Sequence, residues 1–250
     1  MPARLDLSTP HASRILGWLR PGWGRWWGPL WLAIAAVVMI RWDPMVSAAI
    51  RAVDLPGDVR RGISLCEAFA HSFGVVLILA CVWQAAPSLR RRLPRVLACA
   101  LLPGVVVNLL KLLVVRLRPI AYESIPEFGW ESWVGIGTRF DRTQTLNSYL
   151  TQSFPSGHAA TAFGFALGLA WLFPRGRGMF LTVALVASLQ RVVSAAHWPS
   201  DTLAGAAIAM LVAGLCVAPG PISRRFERWE QRGTAHSMAP PNEREQRLAA

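Results

Sequence analysis

Three short clusters of charged, hydroxyl and imidazole side chains interrupt the long apolar runs of this sequence: KLLVVRLRP at 111–119, SFPSGHAATAFGFALG at 153–168 and QRVVSAAHWPSDTLAGA at 190–206. Lys111 is the only lysine in a chain whose other basic residues are all arginine. Lys111 and Arg118 stand seven residues apart, about 700° of helix, so a helix that persists to Pro119 carries both on nearly one face. Cations within an apolar span are costly unless an anion or a water-filled cavity faces them. Snorkelling to the headgroups accounts for Arg116 and Arg118 taken alone. Lys111 sits deeper and resists that explanation. In the second cluster Pro155 suits a helix start, Gly157 lets a ligand approach the backbone, Ser156 adds a hydroxyl and His158 a titratable ring. Free N–H groups at such a helix start attract an anion. In the third, Arg191 lies inside an apolar run, and His197 and Asp201 stand four apart. A carboxylate beside an imidazole fixes its tautomer and stabilises its charged form. The structural alternative makes Asp201 the N-cap of the next helix.

Three cations with backbone N–H groups suit the equatorial oxygens of a phosphoryl group in transfer. Two histidines allow one to attack phosphorus while the other protonates the departing oxygen. The sequence has no HExxH and no carboxylate cluster, and three cations repel a divalent ion, so no metal site and no cofactor are expected.

The elements that must position these clusters are apolar. The chain is 53% hydrophobic, with mean hydropathy +0.36 and twelve tryptophans. Six stretches are long enough to cross a bilayer, or nearly so: 26–42, 63–86, 95–115, 158–173, 178–196 and 202–219. The expected fold is therefore all-α, a six-span bundle at 26–220 between a cytoplasmic tail at 1–25 and a flexible polar tail at 221–250. The first apolar run ends in IRWDP without a small-residue cleavage site, so it reads as a retained helix. With both termini in the cytoplasm, sixteen arginines fall inside and ten basic residues elsewhere, while Asp43, Asp54 and Asp58 offset the arginines of the outer loop at 43–62. This topology brings all three clusters to the outer face. The net charge of +12 gathers at span ends, which argues against nucleic acid as a partner. The four cysteines fall within predicted spans, form no CxxC pair, and read as free packed thiols. Gly164 and Gly168, four apart, imply close helix packing.

On these residues the sequence resembles the type 2 phosphatidic acid phosphatase family, PAP2, whose superfamily also includes vanadium haloperoxidases. The motif K-x6-RP matches Lys111, Arg118 and Pro119; PSGH matches Pro155 to His158; SR-x5-H-x3-D matches Arg191, His197 and Asp201. The strict match covers about 90 residues. The resemblance implies that His197 is the nucleophile of a phosphohistidine intermediate and that Asp201 orients it. It implies that His158 is the general acid and later helps to activate water. Lys111, Arg118, Ser156, Gly157 and Arg191 would hold the phosphoryl oxygens, without metal. The serine that opens the third motif is Gln190 here, an amide that still donates but is longer. The loop at 120–154 offers Phe128, Trp130 and Trp133 either to cap a lipid or as plain interfacial anchors. Glu67 and His71, one turn apart, either bond one another structurally or support the site from behind.

The expected function is a phosphatase acting on a lipid phosphate or diphosphate at the outer face of the cytoplasmic membrane. A phosphotransferase using the same intermediate, and a non-catalytic lipid-binding protein, are the alternatives. The lipid and the oligomeric state are not encoded in any motif.

Overall fold

The computed structural model describes residues 24–122, 129–136 and 148–238, and they are overwhelmingly helical. Helix α1 (Gly24–Ile40) turns through 85° into α2 (Asp43–Ala52). Helix α3 (Gly57–Leu65) runs through a 3-10 stretch (Cys66–Ala70) and bends by 78° into α4 (Ser72–Ala85). Both α2 and α3 are amphipathic half-helices, unlike the uniformly apolar α1 and α4. The bundle continues with α5 (Leu93–Lys111), α6 (Gly157–Leu172), α7 (Arg177–Val193) and α8 (Pro199–Val217).

The expected six spans are only partly matched. By length and composition three helical segments can cross a membrane, at Pro87–Lys111, Pro174–Val193 and Pro199–Val217, or five if each bent pair counts as one. The remaining stretch, expected at 158–173, is α6 and has 16 residues, about 24 Å of helix against a hydrocarbon core of about 30 Å. It is short because its first turn is given over to the PSGH cluster. It is also the central helix, buried along most of its length and packed against α5, α7 and α8. Close approach to α5 is possible because a Cβ at Gly164 would lie 2.1 Å from the Cys99 carbonyl oxygen, so no larger residue fits. The apolar core joins Phe69 and Val75 to Val96, Phe165, Leu169 and Ala187 across these helices. All four cysteines are free.

Two further expectations are corrected. The helix with Lys111 does not reach Pro119: it ends at Lys111, and Val114–Arg116 forms strand β1, antiparallel to β2 (Trp133–Ile136). Three β-branched or cationic residues before a proline favour extended backbone, and Arg118 itself is extended (φ −75°, ψ 154°), as the ring of Pro119 demands. The tail is not flexible throughout, since Pro221–Met238 forms helix α9. Glu230 of α9 pairs with the buried Arg95 at 2.9 Å, and Arg95 Nη2 donates to the Ser223 carbonyl at 3.3 Å. Phe128, one of the loop aromatics, lies outside the described residues.

Candidate active site

The turn after α7 and the first turn of α8 carry the third cluster. The N–H groups of Ala196 and His197 both donate to the Arg191 carbonyl, at 3.0 and 3.1 Å, and fold the chain back sharply. Ala195 takes the left-handed conformation there, with φ 54°, which costs a residue with a Cβ about 1–2 kcal/mol. Pro199 then occupies the first helical position of α8, where its missing N–H is harmless. Asp201 is not the N-cap. It is the third residue of the helix, and its Oδ2 accepts from the N–H of Trp198 at 2.9 Å. The same carboxylate lies 3.5 Å from Nδ1 of His197, a contact long for a hydrogen bond.

The second cluster is stitched to this turn. The Ser156 N–H donates to the Asp201 carbonyl at 3.0 Å, and Ser156 Oγ caps α6 by accepting from the Ala159 N–H at 3.3 Å. The seam closes only because residue 205 is glycine: a Cβ there would lie 2.4 Å from the Ser156 carbonyl oxygen. At Gly157 the position is open, since a Cβ would meet nothing nearer than Val107 Cγ1 at 3.7 Å. Packing therefore does not require that glycine, and the free space lies at the helix start.

Lys111 and Arg118 reach the site from the end of α5 and from the extended segment just after β1, rather than from one helical face. Arg118 Nη1 donates to the Ala196 carbonyl at 3.0 Å, which holds it against the His197 turn, and its guanidinium lies 3.9 Å from the Tyr149 ring centroid. Arg191 pairs closely with Glu67, and Nε2 of His158 is 3.5 Å from the same Glu67 oxygen. The His71 ring stands edge-on to His158 at 6.2 Å. Glu67 thus joins Arg191 to His158, and the mutual Glu67–His71 bond considered from sequence is not the arrangement found. Gln190 accepts from Arg191 Nη1 at 3.2 Å. His158 lies within electrostatic range of Lys111, Arg191 and His197, and His197 within range of Lys111 and Arg118. All three clusters therefore converge, and a cleft of about 340 Å³ lined by His71, Asn108, Gly157, His158 and Thr161 leads to them.

Burial pushes the His197 imidazole down to about 4; Asp201 pulls it upward, while Arg118 and Lys111 add to the lowering. At neutral pH the ring is uncharged. A proton on Nδ1, the nitrogen that faces Asp201, would leave the lone pair on Nε2. The nitrogens Arg118 Nε and Arg191 Nε are buried without a hydrogen-bond partner among the described residues. Buried donors are ordinarily satisfied, and an anion between these arginines would satisfy them.

Arg116 was underestimated by the sequence. It is fully buried, and its guanidinium donates to Asp201 at 2.5 Å, Asp43 at 2.6 Å, Ser200 at 2.7 Å and Ser132 at 2.9 Å. Asp43, read from sequence as an outer-loop charge, is equally buried and accepts from the Ser200 N–H at 2.9 Å and from its hydroxyl. Ser153 Oγ donates to Asp201 Oδ2 at 2.5 Å. Trp133 lies under the Arg116 guanidinium at 4.9 Å and against Phe154, so it walls this network rather than capping a lipid. Trp130 remains exposed, with Arg41 over its ring at 5.3 Å. The one signal available in sequence was the cation in the middle of VVRLRP, equidistant in type from its snorkelling neighbours.

A helical bundle that gathers these three motifs at one end defines a phosphoryl-transfer class of membrane protein. The model of the PAP2 superfamily matches residues 92–221, just over half of the chain, and the chain belongs to that superfamily. A lipid A 1-phosphatase of Rhizobium etli is 35% identical over 104 residues, which are 42% of this chain and 40% of that protein. A lipid A 1-phosphatase of Porphyromonas gingivalis is 42% identical over 67 residues, 25% of this chain and 15% of that one. The aligned stretches thus span well under half the length of these curated relatives. The crystal structure of Aquifex aeolicus LpxE shares the fold, with a TM-score of 0.53 at 17% identity over 69% of this chain and 93% of that one.

Proposed function

We propose that this chain is a membrane-embedded phosphatase that removes a phosphate from a lipid at the outer face of the cytoplasmic membrane. The observation that carries the reading is the convergence of His197, backed by the buried Asp201, with His158 and three cations at one end of the bundle. Nε2 of His197 attacks phosphorus, the bond from phosphorus to the lipid oxygen breaks, and His158 gives its proton to that oxygen. Asp201 offsets the positive charge that develops on the His197 ring. Lys111, Arg118 and Arg191, with the Ser156 hydroxyl and the Gly157 N–H, hold the equatorial oxygens. Water, deprotonated by His158, then attacks the phosphohistidine and releases inorganic phosphate. The excess of arginines on the opposite loops supports an outward-facing site.

The names of the similar proteins make a lipid A 1-phosphate the first substrate to test. Phosphatidic acid, phosphatidylglycerol phosphate and undecaprenyl diphosphate are the comparison set. The test is phosphate release by purified protein across these lipids with a chelator present. Wild type is expected to release phosphate and His197→Ala none; equal rates from the two would sink the proposal.

A further inference from the structure

Beside the reaction site lies a second pocket, of about 350 Å³, between the end of α2, helix α3 and the last turn of α7. Arg51, Arg60, Ser64, Gln190 and Ser194 supply its polar lining, and aliphatic side chains complete it. Arg51 Nε donates to the Ser47 carbonyl at 3.2 Å, but its Nη2 is buried with no hydrogen-bond partner among the described residues. Arg60, itself exposed, has one ion-pair partner among the described residues, the fully exposed Asp54 at 4.0 Å, a pairing worth little. Gln190 turns its carbonyl oxygen to Arg191, which leaves its amide N–H groups to donate elsewhere. Among the described residues no carboxylate lines the pocket.

The pocket shares a wall with the reaction site. Gln190 and Arg191 are adjacent, and Ser64 lies one turn before Glu67, the partner of Arg191. A ligand whose scissile phosphate sits on Arg191 therefore extends naturally past Gln190. We propose that this pocket binds a second anionic group of the substrate lipid, a phosphate or carboxylate carried on the headgroup away from the bond that is cut. The assignment rests on the phosphatase reading and names the substrate class: lipids whose headgroup bears two separated anions. It also gives Gln190 a purpose, since its side chain lines the pocket and contacts Arg191 at once.

The experiment compares two saccharide lipids that differ only in the second phosphate, assayed in detergent micelles with wild type and with Arg51→Gln/Arg60→Gln. Wild type is expected to show a KM about tenfold lower for the bisphosphorylated lipid, the worth of one charge-assisted contact. In the double variant that preference disappears, with kcat on the bisphosphorylated lipid within about twofold of wild type, because the lost contact is a binding one. Arg51→Lys in the Arg60 background keeps a charge at the pocket and is expected to retain part of the preference. Equal KM for the two lipids in wild type, or equal KM losses for both in the variant, overturns the pocket and leaves the phosphatase standing. Hydrolysis of neither lipid by folded wild type overturns both. Vesicles enriched in phosphatidylglycerol provide the remaining arm. If they lower KM for the monophosphorylated lipid in an Arg51- and Arg60-dependent way, the occupant is a neighbouring acidic lipid, and the substrate assignment falls.

Discussion

Arg116, which holds Asp201, and Arg191, whose carbonyl accepts from the His197 N–H, are built on opposite principles. Arg116 is sealed, with each of its three nitrogens committed to Ser132, Ser200, Asp201 or Asp43. Arg191 meets Glu67 and Gln190 through one nitrogen, Nη1, and its buried Nε has no partner among the described residues; the same holds for Nε of Arg118. A sealed cation stabilises a shape, because its desolvation is offset only when every bond is made. A cation with unused donors is held in readiness for a charge that arrives later. In the proposed reaction the chain thus divides arginine chemistry between a foundation and a cradle.

Breaking the foundation should have the largest effect. Arg116→Met leaves Asp43 and Asp201 buried without their cation, a loss of about 3–5 kcal/mol. Thermal melting in detergent should show it, together with undetectable phosphate release. A variant that melts like wild type would mean that the network is ornamental. Breaking the cradle should separate the two properties. Lys111→Arg preserves charge and should leave melting unchanged, yet lower kcat/KM by about a hundredfold, because a planar fork cannot replace a point contact to one oxygen. Near-normal turnover would return the lone lysine to coincidence. Ser153→Ala removes one of the donors to Asp201 and should cost about 1–3 kcal/mol of stability with several-fold loss of rate, read by melting and by initial rates.

The pH dependence sharpens the same contrast. In the unfolded chain a histidine takes its proton near 6.5, whereas folded His197 takes it only near 4. Between these values the unfolded state binds more protons, so stability should fall as the pH drops from about 6.5 towards 4. Activity should hold well below the ordinary imidazole range, and His197→Asn should abolish the stability slope attributable to this group. The smallest effect belongs to the turn: Ala195→Gly relieves a left-handed alanine and should raise stability by about 1 kcal/mol, a rise of a few degrees in Tm.

The sequence made the cradle legible and hid the foundation, for a physical reason. Lys111, Arg118, His158, Arg191, His197 and Asp201 stand in short motifs whose spacing survives whatever path the backbone takes between them. That is why the residues still come together although the helix expected to carry Lys111 and Arg118 ends at Lys111. Asp43 and Arg116 are 73 residues apart and in unrelated surroundings, one after a tryptophan at a span end and one in an aliphatic run. Nothing local distinguishes either from an interfacial charge. Span boundaries failed for a related reason, since hydropathy counts apolar residues and does not register the bends of 85° and 78° that divide two of them. Glu67 was noticed for its depth, but only packing shows that it faces Arg191 and His158.

The buried trio of Asp43, Arg116 and Asp201 has a further consequence. Asp201 accepts from Arg116, from Ser153 and from the Trp198 N–H, so its place beside His197 is fixed before any substrate arrives. In the proposed reaction the positive charge that develops on the ring therefore meets a carboxylate that does not have to move. The work of placing that carboxylate is done once, during folding, and not again in each turnover.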